Sequence, residues 1–171
     1  MIPAPIDHLY LDYFFAMEKE QKIHVLYVDD EENNLIAFKA TFRRDFIIYT
    51  AISAAVAQHT LAENDIEVLI TDQRMPVTTG SELLAQAVQD YPDQIRILLT
   101  GFSDIDALKD AINLGQIYCY LQKPWNEDEL RETIKKAFEI YRLKKEKDDL
   151  TAKLALTNEQ LEFYLRQKLL S

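Results

Sequence analysis

The sequence predicts an α/β domain, a doubly wound five-stranded parallel sheet with helices on both faces, followed by one extended C-terminal helix. Two observations predict it. Short β-rich runs alternate with segments whose apolar residues recur three and four apart, the pattern of strands joined by crossover helices. Several strand runs, VLIT and ILLT among them, are apolar at consecutive positions, as strands buried on both faces must be.

Residues 1–22 read as an extension. Pro3 and Pro5 preclude a helix at the very start, whereas Asp7 to Gln21 has helical spacing with Tyr10, Phe14 and Met17 on one face. The apolar stretch LYLDYFFAM lacks a basic lead-in and a small-residue cleavage site, so no signal peptide is expected. The first strand, HVLYV (24–28), leads into the helical run ENNLIAFKATF (32–42). FIIYTA (46–51) follows, then SAAVAQHTLAE (53–63), which Ser53 opens as a cap. IEVLIT (66–71) precedes GSELLAQAVQDY (80–91), and IRILLT (95–100) precedes DIDALKDAINLG (104–115). Ser103 and Gly115 supply the cap and the stop of that last helical run, and IYCYL (117–121) ends the series.

These elements define a domain over residues 23–141. From Asn126 onward no Gly or Pro interrupts and helix formers dominate, giving one helix of roughly 68 Å if straight. Its first turns (Leu130, Ile134, Ala137, Phe138, Tyr141) carry the domain's apolar stripe, while residues 142–171 form a helical tail projecting beyond it. A heptad frame on the tail puts Leu143, Leu150, Thr157 and Tyr164 at one core position and Lys147, Leu154, Leu161 and Lys168 at the other. That frame is an imperfect coiled coil. The expectation is a homodimer through the C-terminal helix; the alternative is a docking helix for another protein.

The net charge of −10 argues against direct nucleic-acid binding, which needs a basic face. No apolar run approaches the ~20 residues that cross a bilayer, so no membrane partner is expected, and the missing signal peptide leads to the expectation of a cytoplasmic location. The one cysteine, Cys119, sits inside IYCYL and reads as a small core residue. His8, His24 and His59 have no metal-ligand grouping.

In a parallel α/β sheet, ligands bind beyond the carboxyl ends of the strands, where the strand order reverses. The first strand ends in Asp29-Asp30, the third in Asp72, the fourth in Thr100, and the fifth leads to Lys123-Pro124. Alone, an Asp-Asp pair is a solvated helix start and Asp72 no more informative. Together they bring three carboxylates, a hydroxyl and an ammonium to one edge. Such carboxylates repel by about 1 kcal/mol per pair in water and more in lower dielectric. A hard divalent cation relieves that, and Mg²⁺ favours a few carboxylates while keeping waters for a phosphate ligand. An aspartate can attack phosphorus and form an aspartyl phosphate, with a metal and a lysine neutralising the transferring group.

The runs VDDEENN (28–34), TDQRMPVTTG (71–80), LLTG (98–101) and YLQKPW (120–125) resemble the receiver domains of two-component response regulators, in the subtype with D-Q-R-M-P and K-P-W. The resemblance implies a flavodoxin-like sheet of order 2-1-3-4-5. It implies that Asp72 takes a phosphoryl group from a sensor histidine kinase or phosphotransfer protein in a phosphorelay. Asp29, Asp30, Asp72 and the backbone carbonyl of Arg74 would hold Mg²⁺, Thr100 would hydrogen-bond the phosphoryl group, and Lys123 would pair with it. Tyr120 matches an aromatic whose rotamer follows Thr100, and Lys123-Pro124 matches a cis peptide. Arg74 and Phe102 stand where the family tunes water access, which implies a long-lived phosphoryl group. The chain would then signal rather than act as an enzyme. Three other classes compete: an adaptor on the same fold that needs no phosphorylation, a phosphatase with an aspartyl-phosphate intermediate, and a DNA-binding regulator. The phosphatase class wants a second acid two residues after the nucleophile, where this chain has Arg74.

Overall fold

Five of the apolar runs become strands, each beginning where a neighbouring strand can pair with it. The computed structural model describes residues 22–101, 108, 109, 112 and 116–170. The expectations for residues 1–21, for Phe102 and Ser103, and for Gly115 lie outside them. The elements are β1 (His24–Val28), α1 (Glu32–Phe42), β2 (Ile47–Ala51), α2 (Ala54–Glu63), β3 (Val68–Asp72), α3 (Gly80–Asp90), β4 (Ile95–Thr100), β5 (Cys119–Gln122) and α4 (Glu127–Leu170).

The sheet has the order β2-β1-β3-β4-β5, and every pair is parallel. The strand period of two sends alternate side chains to opposite faces. On one face Val25, Tyr27, Val68, Ile70, Ile97 and Leu99 pack with Phe38 and Phe42 of α1 and Leu130, Ile134 and Ala137 of α4. On the other, Leu26, Val28, Leu69 and Leu98 pack with Ala57 and Leu61 of α2 and Leu83, Leu84 and Ala87 of α3. Two buried layers flank one sheet, the doubly wound arrangement.

The helix starts are chemically marked. Ser53 Oγ accepts from the Val56 amide at the head of α2, as its position predicts. Thr79 and Glu82 form a reciprocal capping box at α3. Asn126 Oδ1 accepts from the Asp128 and Glu129 amides and opens α4. Trp125, just ahead of α4, lies against Phe38 and Phe42 with ring centroids 6.0 and 5.7 Å away. An ion pair of 2.9 Å between Lys145 and Asp93 ties α4 to the domain, with the Lys145 ammonium also over the Tyr141 ring. Beyond it, every residue from Glu146 to Leu170 is exposed.

Candidate functional site

Strand order reverses between β1 and β3: the chain leaves β1 toward β2 and returns on the other side as β3. A crevice forms there, outside the carboxyl ends of the two strands. Asp29 follows β1 and is fixed by its amide on the Ala51 carbonyl; Asp72 is the last residue of β3 and pairs in register with Leu99. One ligand oxygen each from Asp29, Asp30 and Asp72 lies within 4.8 Å of the others. Thr100, the last residue of β4, stands one position beyond the partner of Asp72, and the Lys123 amide bonds to its carbonyl. The sheet thus gathers the predicted acids, hydroxyl and lysine at one edge.

Lys123 bridges the two buried acids, with Nζ 2.8 Å from Asp72 Oδ1 and 3.1 Å from Asp29 Oδ2. The peptide bond between Lys123 and Pro124 is cis, as the K-P match implies. Asp29 accepts from four groups: the Tyr27 hydroxyl at 2.6 Å, the Glu31 amide at 2.9 Å, Asn34 Nδ2 at 3.1 Å and Lys123. Burial opposes ionisation of Asp29, but these bonds and the Lys123 charge outweigh it and hold the carboxyl below its ordinary value. Asp72 has fewer donors, Lys123 and the Arg74 amide, and it faces the Asp29 charge. Burial therefore prevails and pushes its carboxyl up. For Lys123 burial acts the other way, and the two acids outweigh it and raise its pKa.

Three carboxylates against one ammonium leave an excess of negative charge in a half-buried crevice. A hard divalent cation fits this donor set, and carboxylates are what such an ion takes.

The loop after Asp72 is shaped by two residues. Val77 has φ 70 and is fully exposed, an uncommon conformation for a β-branched side chain. Gly80 starts α3 with its Cα against Asp72, and a Cβ there would overlap the Asp72 carbonyl and come within 2.8 Å of Leu98 Cδ1. Arg74 is exposed at the rim. Tyr120 lies on β5, 43% exposed. Cys119 is free and partly buried, and burial pushes its thiol up to about 11, which suits a packing residue.

Sequence reasoning missed Tyr27 and Asn34. A tyrosine in an apolar strand reads as core, and only the position two residues ahead of Asp29 hints at its bond. Asn34 lies five residues after Asp29, in the first turn of α1, within the quoted VDDEENN run.

A parallel doubly wound sheet with an acidic crevice and a lysine at its switch point defines a class of flavodoxin-like α/β domains. Within that class the chain belongs to the response regulator receiver domain family, whose model matches residues 25–135. It is 34% identical over 122 residues to the hydrogenase transcriptional regulatory protein HoxA of Bradyrhizobium diazoefficiens, covering 71% of this chain and 25% of that protein. The chain therefore spans about a quarter of that relative's length. A receiver domain protein of Clostridium thermocellum superposes with a TM-score of 0.68 and 31% identity, covering 71% of this chain and 98% of its own. A chain described as an adenylate cyclase from Rhodopirellula baltica gives 0.75 and 28%, covering 77% and 98%. Receivers in general signal rather than catalyse. Among the described residues, no helix is long and apolar enough to cross a membrane.

Proposed function

We propose that this receiver is a phosphoacceptor switch in which Asp72 takes a phosphoryl group from the phosphohistidine of a sensor kinase or phosphotransfer protein in the cytoplasm. The observation that carries the reading is the Lys123 bridge between Asp72 and Asp29, with Asp30 completing the acidic group. An Asp72 carboxylate oxygen attacks phosphorus, the P–N bond breaks, and the imidazole leaves with the electron pair and takes a proton. Lys123, already 2.8 Å from the nucleophile, turns to the phosphoryl oxygens. The Thr100 hydroxyl, which donates to the Gly101 carbonyl at 3.2 Å, redirects to the same group. Asp29, Asp30, Asp72 and the Arg74 carbonyl would hold Mg²⁺, which would supply positive charge to neutralise the transferring group. Output runs through protein interaction, with α4 pairing two copies of the chain.

The test is intact mass after incubation with acetyl phosphate or beryllofluoride and Mg²⁺. One adduct is expected on the wild type and none on Asp72→Asn. An equal yield on Asp72→Asn overturns the assignment of Asp72, and no adduct on the wild type leaves an adaptor on the same fold.

A further inference from the structure

The heptad frame sets Lys147 and Lys168 each opposite its own copy in the α4 pair, and Leu165 and Leu169 do not follow it. Leu143, Leu150, Leu154, Leu161 and Leu165 are each 57–63% exposed on a helix that is continuous from Glu127 to Leu170. Their spacing is seven, four, seven and four, and Leu169 adds a further four. The unit is therefore eleven residues: Leu143-Lys147-Leu150, then Leu154-Asn158-Leu161, then Leu165-Leu169. At ~100° per residue, eleven residues advance the stripe by only about 20°, so it stays on one side of the helix along the whole projecting length. A heptad instead slips backward by about 20° per repeat, and by its last turn it needs Tyr164 and Lys168 where the leucine stripe has Leu165 and Leu169.

We infer that α4 pairs with a second copy of itself in parallel and in register along an eleven-residue repeat rather than a heptad repeat. This rests on the dimer reading above and specifies its seam. The charges say which occupant fits. Glu146 and Lys147 sit on opposite flanks of the stripe at one level, about 100° apart, and both are exposed. In a parallel pair with a two-fold axis, the plus flank of one helix meets the minus flank of the other. Each Lys147 then faces the second copy's Glu146, and each Glu146 faces its Lys147, so the layer carries two crossed ion pairs. The same operation one repeat later brings Thr157 against Asn158, two groups that can hydrogen-bond. In an antiparallel pair like flanks meet and these layers fall out of level. Under the heptad frame Lys147 opposes Lys147. An eleven-residue repeat exceeds the natural turn of the helix slightly, so the pair is straight to weakly right-handed. Leu156, Phe163 and Leu170 lie on the far side and begin only halfway along, whereas the stripe starts at Leu143, two residues before Lys145, which pairs with Asp93 of the domain.

The test uses the full chain with Cys119→Ser. Sedimentation equilibrium first gives the oligomeric state. Single cysteines are then introduced at Leu161, which both frames place in the core, and at Leu165 or Tyr164, which separate them. Under mild oxidation Leu165→Cys is expected to cross-link about as fast as Leu161→Cys, and Tyr164→Cys several-fold slower. Glu146→Lys should weaken the dimer about tenfold, since two attractive pairs become repulsive, and Glu146→Lys with Lys147→Glu should restore it to within about threefold. A dimer in which Tyr164→Cys cross-links faster than Leu165→Cys, or in which the charge swap fails to restore affinity, overturns the repeat and leaves the dimer standing. A monomer at all concentrations, phosphorylated or not, overturns the dimer reading with it.

Discussion

The Tyr27 hydroxyl donates a 2.6 Å hydrogen bond to Asp29 Oδ2, linking the middle of the core to the acidic crevice. The tyrosine is 1% exposed, and its ring stacks on Phe38 with centroids 4.2 Å apart. Burial first, and then the Asp29 hydrogen bond, push the hydroxyl far above its ordinary value and favour the protonated donor. Tyr27→Phe keeps the stack and removes only the bond. Three other kinds of donor remain on Asp29, so the expected loss is about 1–2 kcal/mol, read by urea unfolding without metal. A change below about 0.3 kcal/mol would mean that Asp29 holds its place without Tyr27.

Gly80→Ala tests the packing of α3 against β3, the strand that ends in Asp72. The new methyl group would meet the Asp72 carbonyl, which is backbone and has little room to retreat because Asp72 pairs with Leu99. Overpacking of this kind costs about 1–3 kcal/mol. The expected outcome is a lower melting temperature and, because the displaced residue is Asp72 itself, a lower yield of the acetyl phosphate adduct. An alanine variant that melts with the wild type and labels fully would show that α3 can shift at no cost.

Much of this arrangement is legible in the sequence, for identifiable reasons. A fully buried parallel strand has no polar face, so VLIT and ILLT stand out as continuous apolar runs, and Asp72 just after the first and Thr100 at the end of the second mark the carboxyl edge. Boundaries are less legible because pairing sets them. Phe46 is apolar and in the core, yet β2 starts at Ile47, where pairing with His24 begins. IEVLIT reads as a strand from residue 66, but Glu67 turns its carboxylate to the His24 amide at 2.6 Å and β3 begins at Val68. IYCYL shifts to Cys119–Gln122 because Cys119 is the first residue opposite Ile97. Arg96, in the middle of a strand run, is buried with its guanidinium on the carbonyls of Tyr91, Gln94 and Gln116. Those partners come from both sides of β4, and no local pattern in the sequence announces them.

Glu67 gives a pH-dependent expectation. It is buried at 6% exposure, and desolvation, against the helping His24 amide bond, raises its carboxyl above the ordinary value. A raised folded pKa means the folded state holds the proton more tightly than the unfolded chain. Stability from this group is therefore greatest below the ordinary carboxylate value and falls as pH rises through the folded value. Glu67→Gln keeps an oxygen for His24 and removes the charge. Its melting temperature relative to wild type should be higher at pH 7 than at pH 4. A difference that is flat with pH, or reversed, would mean that Glu67 is stabilised as a carboxylate.

Removing Asp30 separates metal binding from folding. Asp29 and Asp72 share the one ammonium of Lys123, while Asp30 adds a third negative group to the same 4.8 Å cluster. Without a cation it contributes mostly repulsion, so Asp30→Asn is expected to melt no lower than wild type in metal-free buffer. Adding Mg²⁺ should reverse the ranking. A ligand that binds only the folded state at one hundred times its dissociation constant stabilises by about 2.7 kcal/mol, and Asp30→Asn should forfeit most of that. It should also lose the acetyl phosphate adduct while keeping Asp72 in place. Paired melts with EDTA and with Mg²⁺ decide the matter. A clear drop in the EDTA melt would make Asp30 structural, and an undiminished Mg²⁺ shift would remove it from the metal site.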